Sequence, residues 1–376
     1  MAIKNTTLKN TDEVIFISDI HFGVRNGSFE WLEIMQNYFR DFFIPLIQNE
    51  ISSGKHPVVV VAGDYFDNRQ YVDINVLNVA YNIMKEISSL CDVYMIVGNH
   101  DIYKKNDTDV NSLVIFSDFD KVHIVDHIES ITLCNKRKFI LVSWIGDRLE
   151  ENKVISKYKD SFDYLVFHTE LSGMSYDNNK PILNGLNLSI VDDNCRILSG
   201  HIHKRQESKK GLYFGSPYHL SRSDIGNDKG IYIFSAVDDK IERRFVKNEI
   251  SPTFKRVNFS EVGKDPKDWA GIMEGNFVDI VMSQEEIDSI NVNKFLKGIQ
   301  DTLPKHVEIV KTADKPVVAD SSVESLIVND DKGFDINATI EAVFNNKVSA
   351  MGLKKSQVKE LTAMNEKFIK TALEDI

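Results

Sequence analysis

At 376 residues, with 42% hydrophobic and 27% charged side chains, the chain has the composition of an ordinary globular protein and is long for one core, so two or more domains are expected. Its net charge of −11 argues against binding nucleic acid through bulk charge, but leaves room for a local basic face or for bound divalent cations that hold phosphate. Cys91, Cys134 and Cys195 stand singly with no CxxC spacing, which argues against a disulfide framework and a structural zinc site and fits a reducing compartment.

Met1–Asn10 is polar rather than signal-like, and no apolar run approaches a membrane span, so a cytoplasmic protein is expected. Residues 14–18 form a β-rich run ending at Asp19, and residues 29–49 have the spacing of an amphipathic helix. Residues 58–62 are a continuous apolar strand, buried on both faces if central in a sheet, and end at Gly63-Asp64. Ile74–Leu90 reads as helix, and residues 93–97 as a strand ending at Gly98-Asn99-His100. This β-α-β-α-β rhythm predicts an α/β layered domain whose ligands gather at the carboxyl ends of parallel strands.

Further strands are expected at 139–143, Tyr164–His168, 197–199, 212–214 and 231–235, with Lys240–Lys247 closing the sheet in antiparallel fashion. The character changes near Ser251-Pro252. Beyond it, strands at 254–259, Phe277–Met282 and 307–310 and a helix at 293–302 predict a small α+β unit. The domain reading is therefore 1–250 for the first domain, 251–312 for a cap, 313–335 for a linker and 336–376 for two amphipathic helices, at 337–348 and 354–373.

Five polar clusters punctuate these runs: Asp19-Ile-His21, Gly63-Asp64-Tyr-Phe-Asp67, Gly98-Asn99-His100-Asp101, Phe167-His168-Thr-Glu170 and Gly200-His201-Ile-His203. Side-chain alternation along a strand would put Asp19 and His21 on one side, where they could share an ion. Gly63 permits close backbone approach, Asp64 can lend an oxygen to each of two metals, and Asn99 offers a neutral oxygen. His168, His201 and His203 arrive from later strand ends. Mixed imidazole, carboxylate and amide donors suit manganese, iron or zinc better than calcium. Each piece is weak alone; their order and company carry the signal. A metal pair beside a histidine is equipment for hydrolysing phosphate esters.

Together the clusters resemble the calcineurin-like metallophosphoesterase superfamily over residues 13 to about 247. The resemblance implies a four-layer α/β/β/α sandwich with two divalent ions. One would take Asp19, His21, Asp64 and His203; the other Asp64, Asn99, His168 and His201. It also implies that His100 contacts the scissile phosphate and that Asp67 pairs with it. Phosphoprotein phosphatases of this group usually read Gly-Asp-x-x-Asp-Arg-Gly, whereas Asn68-Arg69-Gln70 follows Asp67 here.

The cap and helix pair, with Gly215-Ser216-Pro217-Tyr218 and Asp228-Lys229-Gly230, are similar to the double-strand-break repair nuclease subunits of the SbcD type. His168-Thr-Glu170-Leu-Ser-Gly173 looks closest to their counterparts in T-even-like bacteriophages. That resemblance implies a manganese-dependent DNA endo- and exonuclease acting in recombination and repair. It further implies a homodimer working with an SMC-like ABC ATPase of the SbcC type, gripped by the C-terminal helices. The helices at 29–49 and Ile74–Leu90 are candidates for the dimer contact. Arg25, Arg69, Lys104 and Lys105 are candidate DNA contacts. The competing expectation is a phosphatase or cyclic-nucleotide phosphodiesterase that does not act on DNA.

Overall fold

The structure, a computed structural model, describes residues 4–104, 107–158, 162–190 and 196–312. The described residues belong to one compact unit that ends at Thr312. The expected linker and helix pair, like Lys105 and Cys195, lie outside the described residues.

Two sheets are packed face to face. The first has six strands in the order Lys240–Lys247, Gly230–Val237, Glu13–Ile17, Pro57–Val61, Val93–Ile96 and Val122–Val125. From Glu13–Ile17 onward the neighbours are parallel, while Gly230–Val237 and Lys240–Lys247 run antiparallel as expected. The second has seven strands, and its central parallel set is Lys138–Val142, Tyr164–His168, Arg196–Gly200 and Gly211–Tyr213.

Alternation along each strand builds the layers. Val14, Phe16, Val58 and Val60 point inward to meet Phe139, Leu141, Val166 and Leu198 of the second sheet. Ile15, Ile17, Val59 and Val61 point the other way, under the helices that include Leu32, Phe39, Ile47 and Ile83. Ile140, Val142, Leu165 and Phe167 face a fourth layer containing Ile155 of the helix Arg148–Tyr158. The fold is the expected α/β/β/α sandwich.

The helix expected over 29–49 is three segments: Phe29–Tyr38, a π-helical turn at Phe39–Phe43, and Ile44–Ser52. Pro45 explains the break, since it has no N–H to give to the carbonyl four residues back. Among the described residues no helix is long and apolar enough to cross a membrane.

Residues 254–311 carry a parallel three-stranded sheet, Phe254–Asn258, Phe277–Met282 and His306–Lys311. Its own core is centred on Trp269, Ile280, Phe295 and Ile299, the last two from the helix Val292–Gln300. This unit rests on the sandwich through Trp31, whose ring lies 5.5 Å from that of Phe277, and through Arg222, whose Nε donates to Asp279 at 2.9 Å.

Candidate metal centre

The five clusters converge at the carboxyl ends of the central strands of both sheets. Glu13–Ile17, Pro57–Val61 and Val93–Ile96 deliver Asp19, His21, Asp64 and Asn99 from one sheet; Tyr164–His168 and Arg196–Gly200 deliver His168, His201 and His203 from the other. Asp19 and His21 do not share a strand face, because the strand stops at Ile17. Left-handed backbone at both residues (φ 53° each) brings them together instead.

Donor atoms of Asp19, His21 and His203 lie within 4.8 Å of one another, as do those of Asp64, His168 and His201. Asp64 stands between the two groups: its Oδ2 is 3.1 Å from His168 Nε2 and 3.7 Å from His21 Nε2. Asn99 Oδ1 joins the second group, 3.1 Å from His168 Nε2 and 2.8 Å from His201 Nδ1. His168 is held by Nδ1, which donates to the Ala62 carbonyl at 2.8 Å and leaves Nε2 facing the site.

Three observations fit this chamber to cations. His21 Nε2 and His203 Nε2 lie 3.0 Å apart, close enough to share either one proton or one ion. Asp19 Oδ2 is fully buried with no hydrogen-bond partner, an arrangement that is costly for a carboxylate. A Cβ on Gly98 would sit 2.3 Å from Asp64 Oδ1, so the loop comes as close to the carboxylate as a glycine allows.

The electrostatics agree. Burial works against charge on His168, but Asp64 outweighs it and raises the imidazole to about 9. Burial likewise opposes ionisation of Asp64, yet His168 and then His21 hold it well below the usual carboxylate range. Burial, followed by repulsion from His21, pushes His203 well below its ordinary value. Carboxylates and histidines stacked this tightly are competing for positive charge.

His100 and Asp67 are adjacent but paired differently from the expectation. The Asp67 main-chain carbonyl, not its carboxylate, lies 2.6 Å from His100 Nδ1. The carboxylate is turned toward His21, with Oδ1 3.2 Å from Nδ1 but out of hydrogen-bond alignment. A carbonyl can only accept, so His100 Nδ1 carries the proton and Nε2 is left toward the site.

Four residues near the centre had no assigned role in the sequence reading. Asp101, the last residue of Gly98-Asn99-His100-Asp101, accepts backbone N–H groups from Tyr65, Phe66 and Gly98 at 2.9–3.1 Å and ties two strand ends together. Lys229 is buried, pairs with Asp224 and donates to the His203 carbonyl, both at 2.5 Å. Glu170 lies 3.8 Å from His201 Nε2. The Trp144 ring centroid lies 5.3 Å from that of His201. Asp101, Lys229 and Glu170 stood inside quoted motifs; nothing in the sequence marked Trp144. Of the candidate DNA contacts, Arg25 is engaged with the Leu220 carbonyl and the Trp31 ring, and Lys104 is exposed.

A family model described as calcineurin-like phosphoesterase matches residues 13–205. The chain belongs to that family. This calcineurin-like phosphoesterase is 24% identical to "Exonuclease subunit 1" of Enterobacteria phage T4 over 321 residues, covering 83% of this chain and 88% of that protein. It is 29% identical over 216 residues to "Putative phosphoesterase 078R" of Invertebrate iridescent virus 3, covering 55% of this chain. That match spans only 57% of the viral protein's length. Among solved structures, a dimetal phosphatase from Danio rerio is similar with a TM-score of 0.41 at 10% identity, covering 64% of this chain and 98% of that one. The protein is thus a metal-dependent phosphoesterase, with a donor set for divalent ions and a nuclease subunit among its relatives.

Proposed function

We propose that this phosphoesterase is the nuclease subunit of a DNA recombination and repair complex, a manganese-dependent endo- and exonuclease. The observation that carries the reading is the likeness to the phage T4 exonuclease subunit. At 321 residues it must run beyond the 13–205 stretch common to phosphoesterases. The resemblance carried by the sequence motifs adds a homodimer working with an SMC-like ABC ATPase, held by residues 336–376.

Asp19, His21 and His203 would hold one divalent ion and Asn99, His168 and His201 the other, with Asp64 between them. Such ions, when bound, supply Lewis-acid polarisation of a phosphoryl oxygen and acidify water. The donor set, nitrogen and oxygen without thiolate, suits manganese. His168 and Asp64 are fixed by buried partners, so the chamber is preorganised to hold the cations. As water adds to phosphorus the P–O ester bond breaks, and the departing oxygen needs a proton. His100, its ring fixed through Nδ1, is positioned to supply that proton or hydrogen bond from Nε2 when protonated there.

The test compares the protein and His100→Ala on linear duplex DNA, circular single-stranded DNA and bis(4-nitrophenyl) phosphate, with and without manganese. Manganese-dependent DNA cleavage is expected, falling about 10²–10⁴-fold in the variant, the range for loss of a general acid. Turnover of the aryl ester with no cleavage of either DNA would overturn the nuclease reading.

A further inference from the structure

Beside the metal centre lies a cavity of about 380 Å³ whose lining includes Asp107, Asp126, His127, Trp144, Ile145 and Glu150. It is within the size range of small-ligand sites, roughly 300–1,000 Å³. Two hydrogen bonds fix its inner wall to the centre. Trp144 N–H donates to the Val97 carbonyl at 2.9 Å, and Ser143 Oγ accepts the Val97 N–H at 3.0 Å. Val97 immediately precedes Gly98-Asn99-His100, so the half-buried Trp144 ring is held in register with the loop that carries Asn99 and His100.

The lining chemistry narrows the occupant. Asp107 and Asp126 are acceptors when ionised and repel phosphate, while Glu150 is already paired with Lys153 at 2.5 Å. A flat indole face with apolar Ile145 favours a planar ring. An occupant should therefore be planar, free of negative charge at the ring and equipped with N–H donors. Resting on the nuclease reading, we propose that the cavity takes an unstacked nucleobase next to the scissile phosphate. Trp144 would stack on it, and the carboxylates would accept hydrogen bonds from its exocyclic amino group. The phosphate is then left to the metal centre, since the acidic rim excludes it. Cytosine, adenine and guanine carry an exocyclic amine with two N–H groups, whereas thymine offers only its single ring N3–H, so the site discriminates against thymine.

The experiment measures manganese-dependent turnover of the 4-nitrophenyl esters of 5′-deoxycytidylate and 5′-thymidylate by the full chain. The expected kcat/KM ratio favours the cytosine ester by about tenfold, the low end for one base-edge contact. Trp144→Ala should collapse that ratio toward one and Trp144→Phe should keep most of it. General damage to the protein would lower both esters together and leave the ratio alone.

A second readout needs neither metal nor turnover. In EDTA, deoxycytidine should quench tryptophan fluorescence saturably and thymidine at least about tenfold more weakly. Of the three tryptophans, Trp31 and Trp269 are buried. Equal turnover of the two esters, a ratio that survives Trp144→Ala, or no saturable quench would overturn the proposal. If DNA is cleaved while the ratio is one, the base site alone fails; if the ratio holds without DNA cleavage, the nuclease reading fails and a nucleotide-binding phosphoesterase remains.

Discussion

Asp19, His21, Asp64 and His201 all hold left-handed backbone, at φ 53°, 53°, 51° and 81°. For a non-glycine residue that conformation costs of order 1–3 kcal/mol, so surrounding contacts must over-determine it. Asp101 supplies several of them. Its Oδ1 accepts the Tyr65 and Phe66 N–H groups just past Asp64, and its Oδ2 accepts the Gly98 N–H just before Asn99. Burial and the nearby Asp64 charge push Asp101 up to about 7, against the Phe66 and Gly98 N–H donors, which favour its ionised form. Asp101→Asn keeps the shape but exchanges an acceptor oxygen for an amide. At least one buried N–H then loses its partner, a cost of about 1–3 kcal/mol. Urea unfolding should read that loss, and the manganese midpoint of activity should rise about 10–100-fold, as for other residues that orient ligands. An unchanged manganese midpoint would remove Asp101 from the site's scaffolding.

Elements were legible where hydrophobic period and strand-end polarity coincided. Residues 58–62 read as a buried strand because Val58 to Val61 feed two cores at once, and the sheet buries all of Pro57–Val61. The donor set was legible because each donor sits just past such a run. What escaped had no local signature. The edge strand Lys4–Thr7 is polar and exposed, and the helix Arg148–Tyr158 buries only Glu151 and Ile155. The left-handed turns that gather Asp19 and His21 depend on contacts with residues about 45 positions away, such as Asp19 N–H to the Gly63 carbonyl. The main-chain contact of Asp67 with His100 escaped for the same reason, because no sequence motif displays a carbonyl partner.

The junction between sandwich and cap is a small element contact with a titratable group in it. His219 Nδ1 accepts the Phe254 N–H at 3.2 Å, so it is held neutral. Burial pushes it down to about 4, against an attraction from Asp224. The unfolded chain therefore takes up a proton first, as pH drops below about 6.5, and the folded chain only near 4. Stability from this group is full above pH 6.5 and is lost as pH falls toward 4. His219→Asn keeps a side-chain acceptor and removes the titration. Between pH 7 and 4.5 the wild type should lose about 2–3 kcal/mol more than the variant, by linkage. Parallel loss in both proteins, measured by urea unfolding across that range, would show that His219 is not held neutral.

At the scale of the whole molecule, the proposed nuclease function sets a polyanionic substrate against a charge of −11. Affinity for DNA comes mainly from Lys and Arg on phosphates, and of the candidate contacts Arg25 and Lys104 are exposed but few against the acidic total. The metal centre can hold one phosphate but cannot track a strand. A nuclease built this way needs another protein to supply the long-range electrostatic attraction. The apolar stripe Ile336, Ile340, Val343, Phe344 and Val348, with Val358, Leu361, Met364 and Phe368 after it, has helical spacing suited to a partner's groove. These residues lie outside the described structure, so the proposal rests on their pattern. Deleting residues 336–376 should abolish co-purification with the ATPase while sparing manganese-dependent cleavage of short oligonucleotides. It should also leave the steep salt dependence of the assembled complex unattainable, because that slope would belong to the partner. Full ATPase association by the truncated chain would refute the helical pair as its grip and send the search for the contact back to the folded surface of residues 4–312.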